Sequence, residues 1–112
     1  LETLRTGGAP LLKPETAAAA LSNQIGDLEG EPGARFGFLG ALIVDPQAAG
    51  TALPKGAIQW GGVYGNTWFI DPAERLTVVS MTNNAVEGCT GAYPEMLRSA
   101  VYDRGSVVRT LR

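Results

Sequence analysis

Histidine is missing altogether, and cysteine occurs once, at Cys89. The first absence excludes a Ser-His-Asp triad and any zinc site built on imidazole within this chain. The second excludes an internal disulfide and a Cys-x-x-Cys metal site. Cys89 lies in the glycine-flanked stretch Glu87-Gly88-Cys89-Thr90-Gly91. With no histidine to activate it, its thiol reads as a structural group in a loop. Lysine is scarce too, and only Lys13 and Lys55 are present. The residues three positions beyond Ser22, Ser80, Ser99 and Ser106 are Ile25, Asn83, Tyr102 and Arg109, so no Ser-x-x-Lys pair exists. Apolar runs are far too short for a membrane span, and no signal peptide is visible. Charge is sparse at 18% of residues, with a net of −2 and a pI near 5.0, and no basic patch offers itself to nucleic acid. The expectation is a soluble chain of cytoplasm or periplasm, with no metal, no cofactor, no nucleic acid and no membrane among its partners.

What is present describes a folded protein. Hydrophobic residues make up 45% of the chain, a globular composition rather than a disordered one. At 112 residues it holds one domain at most, in a size range where stability is marginal. Leu1 stands where an initiator Met would be, which leads to the expectation of a piece of a longer polypeptide. Residues 1–112 are therefore read as a single partial domain.

Leu1, Leu4 and Arg5 are placed to close a helix before Gly7-Gly8. Pro14 suits a first helical position, Glu15 complements the helix dipole, and the alanines from Ala17 to Ala20 favour helix. With Ala17, Leu21 and Ile25 on one face and Gly26 as a stop, the pattern predicts a helix over 14–25. Residues 27–35 read as a loop. The apolar run 36–44 predicts one strand covered on both faces, stopped by Asp45-Pro46. Residues 47–55 read as a second loop, punctuated by Gly50 and Pro54. Strand signals follow at 57–62, 64–70 and 76–82, with a Pro72-centred turn before the last. They imply a three-stranded antiparallel meander in which Trp68 and Phe69 point to opposite faces, both as packing residues. Tyr93, Met96, Leu97, Ala100 and Val101 have helical spacing, with Pro94 in the first turn and Gly105 beyond the end. Two short helices cannot cover both faces of such a sheet, so the fold reads as incomplete.

The informative stretch is Gln59-Trp60-Gly61-Gly62-Val63-Tyr64-Gly65-Asn66. Glycine weakens a strand, so three within five residues need a reason. One is a bulge or tight turn. The other is close approach of a backbone or ligand, where a strand edge stripped of side chains presents N–H groups to a developing oxyanion. Trp60 by itself reads as a core aromatic. Tyr64-Gly65-Asn66 reads as turn and strand start.

Trp60-Gly61-Gly62 on a strand, an aromatic strand ending in Asp71-Pro72, and a β-branched strand ending in Met81-Thr82 resemble the third motif of β-lactamase-like esterases and its surroundings. In class C β-lactamases and D-alanyl-D-alanine peptidases the same strand carries Lys-Thr-Gly or His-x-Gly. Gly7-Gly8, the run Leu11-Leu12-Lys13-Pro14-Glu15-Thr16 and Phe36-Gly37-Phe38-Leu39-Gly40 are similar to the segment ahead of it. The resemblance spans residues 4–104. It implies an α+β fold, an antiparallel sheet flanked by helices, as the C-terminal part of a β-lactamase/transpeptidase-like domain. It also implies catalytic roles for Val63, as a backbone oxyanion donor, and for Gly61 and Gly62, with Trp60 and Tyr64 toward substrate. Trp60 in place of lysine tilts the substrate toward uncharged esters rather than penicillins. The Ser-x-x-Lys nucleophile would come from a missing N-terminal portion of the same hydrolase. The partner is that portion or a second copy of this chain, and the substrate of the complete enzyme is a small ester or amide.

Overall fold

Backbone chemistry sets the boundaries of the elements in the computed structural model, which describes residues 1–103. Helix α1 spans Glu2–Arg5 and α2 spans Pro14–Ala20, with Pro14 in its first turn as predicted. Helix α2 stops at Leu21 rather than at Gly26. The Ser22 hydroxyl turns back onto the Ala19 carbonyl at 2.9 Å, and Gln24 Nε2 donates to the same carbonyl at 2.8 Å. Those side chains take up the carbonyl that a continuing helix would have used.

The apolar run 36–44 is not one strand. It is the second half of a hairpin formed by β1, Ala34–Phe36, and β2, Ala41–Ile43. Gly37 N–H donates to Gly40 C=O at 3.0 Å to close the turn. A Cβ on Gly40 would stand 2.4 Å from the Gln59 carbonyl oxygen, so only glycine lets the chain reverse against the next strand. Phe38 and Leu39 fall in that turn and are exposed rather than buried on both faces. The loop expected over 47–55 begins with a helical turn, α3, Pro46–Ala49. Asp45 Oδ1 caps it by accepting from Gln47 and Ala48 N–H, and Gly50 ends it in the left-handed region at φ 60°.

The predicted meander is present as β3, Ile58–Gly62, β4, Asn66–Asp71, and β5, Leu76–Met81. All five strands form one antiparallel sheet in chain order, so the chain is α+β. The glycine-flanked stretch around Cys89 is not a loop but a helical turn, α4, Glu87–Thr90. Helix α5, Ala92–Tyr102, follows it, and the stop expected at Gly105 lies outside the described residues.

Strand alternation divides the side chains between two unlike faces. Gln59, Phe69 and Val78 share a cross-strand row facing α5. There Ile43, Leu53, Ala57 and Phe69 form the buried core, with Leu76, Val78, Val101 and Tyr102 packed around it. The opposite row is Trp60, Trp68 and Val79. Ile58 and Ile70 on that face are fully buried, but Trp60 is 49% and Val79 57% exposed. Of the two strand aromatics expected to pack, Phe69 is buried and Trp68 is half-buried. Among the described residues β5 has no strand beyond it. No helix among them is long and apolar enough to cross a membrane.

Candidate functional site

The Gly-rich stretch folds into the β3–β4 connection. Gly65 N–H donates to Gly62 C=O at 2.9 Å, and Gly62 pairs with Asn66 to close the hairpin. Val63 and Tyr64 keep negative φ while Gly65 takes +114°. This is the three-residue loop in which a turn is followed by a positive-φ bulge, and glycine suits that position. A Cβ on Gly65 would come within 2.6 Å of Thr82 Oγ1. The tight-turn reading of these glycines therefore holds for Gly65.

Gly61 meets the other reading, close approach of a backbone, whereas Gly62 faces the Asn66 side chain. A Cβ on Gly61 would lie 2.7 Å from the Asn66 carbonyl and 3.0 Å from Cys89 Sγ. One on Gly62 would lie 2.7 Å from Asn66 Oδ1. Because Gly62 directs its backbone groups to β4, strand alternation turns those of Gly61 and the N–H of Val63 to the other side. On that side β2 pairs with β3 only as far as Ala41 opposite Gln59, and the Gly37–Gly40 turn then leaves. Among the described residues no strand pairs with this edge of β3 from Gly61 onward. Val63 C=O accepts from Val86 N–H at 2.7 Å, while its own N–H has no partner among the described residues.

A cleft of about 330 Å³ reaches this edge at Gly61, two residues short of Val63, and is lined among others by Gln59, Trp60, Gly61, Thr67, Cys89 and Arg98. That volume suits a small ligand. Gln59 Oε1 is buried there without a hydrogen-bond partner among the described residues. Arg98 is held by Glu95 at 3.1 Å. Trp60 stands half-exposed at the rim, its ring meeting Phe36 edge-on at 5.0 Å and 77°. Neither reading of Trp60 is complete, since it packs on one neighbour and shows its remaining surface to solvent.

The five sequence-predicted residues are therefore contiguous but not equivalent. Trp60 and Gly61 line the cleft, Gly62 closes the hairpin, Val63 offers an unpartnered donor, and Tyr64 stands at the turn tip at 84% exposure, outside the cleft lining. Sequence reasoning missed Gln59, Arg98 and the approach of Cys89. No local pattern marks them, because α4 and α5 bring two of them back across about thirty residues of chain. No group of three or more His, Cys, Asp or Glu side chains among the described residues is arranged to hold a metal.

No family model matches this chain. It is 45% identical over 107 residues to the esterase EstB of Burkholderia gladioli, an alignment that covers 93% of this chain and 27% of that protein. A solved structure described as EstCE1, a hydrolase with promiscuous acyltransferase activity, matches with a TM-score of 0.80 and 48% identity, over 90% of this chain and 27% of that one. The chain thus spans about a quarter of the length of the relatives it matches. In sequence and in fold alike, it is similar to one segment of esterase-type hydrolases.

Proposed function

We propose that this chain is the C-terminal segment of a β-lactamase-like serine esterase, contributing the oxyanion strand to a site whose nucleophile belongs to the rest of the enzyme. The observation that carries this reading is the Val63 N–H on the edge of β3, which has no partner among the described residues. In the complete enzyme a serine of the N-terminal portion attacks the ester carbonyl. The oxygen gains negative charge and accepts from Val63 N–H and from the serine's own N–H. The alcohol departs with a proton, and water then releases the acid. Gly61, on the cleft lining, brings no side chain toward the acyl group. Trp60 supplies an apolar wall with a single N–H in place of a cation, which favours a small uncharged ester or amide. Tyr64, at the turn tip, meets the outer part of the substrate.

The partner in this reading is the remaining portion of the hydrolase. Its support is the quarter-length match, the lack of a strand beyond β5 among the described residues, and the row of exposed Trp60 and Val79 with half-buried Trp68 between them. The second reading is a non-catalytic module that self-associates over the same row. Analytical ultracentrifugation of the chain alone at micromolar concentration should show association, since contiguous apolar patches of this kind are uncommon on monomers. A folded monomer with sharp unfolding would remove both partner assignments.

Activity is tested with a chimera in which this chain replaces the matching segment of the Burkholderia gladioli esterase. The isolated chain should not react with a fluorophosphonate, whereas the chimera should be labelled once and hydrolyse a small uncharged ester. Stoichiometric labelling of the isolated chain, or a folded chimera with no turnover, would count against the assignment.

A further inference from the structure

Val86 carries the most unusual backbone among the described residues. Its φ is 67° and its ψ −62°, and Glu87 N–H donates across it to Ala85 C=O at 2.8 Å. Those angles with that bond define a γ-turn of the rare, strained kind. Positive φ in a β-branched residue is a genuine outlier. The side chain is 58% exposed, so its own burial does not hold it there.

The backbone groups of Val86 show what the turn accomplishes. Its N–H donates to Val63 C=O at 2.7 Å. Its C=O accepts from Cys89 and Thr90 N–H at 3.0 and 2.8 Å, which ties the turn to α4. Gly88 of the same helix presses on Gly65, where a Cβ would come within 2.7 Å of Gly65 Cα. The peptide unit before Val63 is already fixed, because Gly62 C=O accepts from Gly65 N–H at 2.9 Å. Val86 fixes the unit after it. Val63 is therefore pinned on both sides, with only its N–H left without a partner among the described residues.

Strain that persists at one residue is evidence of a constraint imposed by its surroundings, and such sites cluster where geometry serves function. We propose that Val86 is a positioning residue, whose strained γ-turn holds the Val63 carbonyl so that Val63 N–H stays aimed at the oxyanion. This rests on the oxyanion role proposed above. It adds a residue that touches no reacting atom.

The test uses the chimeric esterase. Replacing Val86 with its α-hydroxy acid removes the N–H and keeps the side chain. It should lower kcat about tenfold to a hundredfold, the scale of a small misplacement in a catalytic group, with KM within about twofold. Val86→Gly keeps the N–H and adopts positive φ freely, so it should retain kcat with an unchanged or higher melting temperature. Val63→Pro serves as the control. If it lowers kcat while the α-hydroxy replacement does not, the positioning role is wrong and the oxyanion reading stands. If neither changes kcat, the oxyanion reading fails and this inference falls with it. A kcat loss that tracks a lowered melting temperature and vanishes in assays run well below it would mark a merely structural contact, and would also overturn the proposal.

Discussion

Val63→Pro in the chimeric esterase is expected to lower kcat by about 10²–10³, the usual consequence of losing one oxyanion donor. The substitution isolates a single hydrogen. Val63 is the first of the two negative-φ residues in the Gly62–Gly65 turn, a position where proline's fixed φ is welcome. The N–H that proline removes has no partner among the described residues, so no structural bond is lost. The side chain is 58% exposed, so little packing changes. The Val63 carbonyl, and its bond from Val86, remain. Circular dichroism and the melting temperature should therefore match the parent, and KM should change little, since the donor matters most once charge develops on the oxygen. Steady-state kinetics on a small uncharged ester reads the effect. Undiminished turnover in a folded Val63→Pro variant would show that β3 does not line the site.

Asp71→Ala should destabilise the isolated chain by about 3–4 kcal/mol, a large share of the roughly 5–15 kcal/mol typical of a folded domain. Asp71 is 1% exposed, and both of its oxygens are engaged. Oδ1 accepts from Ala73 and Glu74 N–H at 3.1 Å each and shapes the β4–β5 turn. Oδ2 accepts from the Tyr102 hydroxyl at 2.8 Å and fastens the end of α5 to the sheet. Burial first, and then this bond and the charge of Asp71, hold the Tyr102 phenol above its usual range. The Tyr102 ring also stacks on Phe69, with centroids 6.1 Å apart, so the polar contact seats a core residue. Alanine would leave two N–H groups and a hydroxyl without their acceptor. Asn keeps an oxygen for one side of the arrangement, and Asp71→Asn should cost about half as much. Urea unfolding followed by circular dichroism gives both values, and an Asp71→Ala change below about 1 kcal/mol would mean that solvent replaces these bonds freely.

Local signals in the sequence located several elements. Proline in the first turns of α2 and α5, the β-branched run of β5 and the Asp71-Pro72 turn each act through their own backbone or nearest neighbours. The expected positions were therefore right to within a few residues. Composition also fixed what the chain lacks, because an absent histidine or Ser-x-x-Lys pair stays absent however the chain folds. The Gly-rich stretch was legible as unusual, since glycine in a strand always asks for a reason. Which reason applied was not legible. Gly65 serves a turn, while Gly61 and Gly62 make room for Asn66 and Cys89, and that division depends on partners distant in sequence.

Tertiary structure alone decided the rest. The run 36–44 looked like one buried strand because all of it is apolar. It divides at Gly37 and Gly40 because β3 lies against it and leaves no room for a Cβ at Gly40. That division ends β2 early and leaves the β3 edge beside Val63 without a paired strand among the described residues. Val86 carried no sequence signal at all. A β-branched residue is the last that propensity would place at positive φ, and only the hydrogen bonds from α4 and to the β3–β4 turn hold it there. Short-range chemistry thus set where strands and helices form. Contacts across about twenty residues and more determined which backbone groups remain free, and those free groups are what a reaction can use.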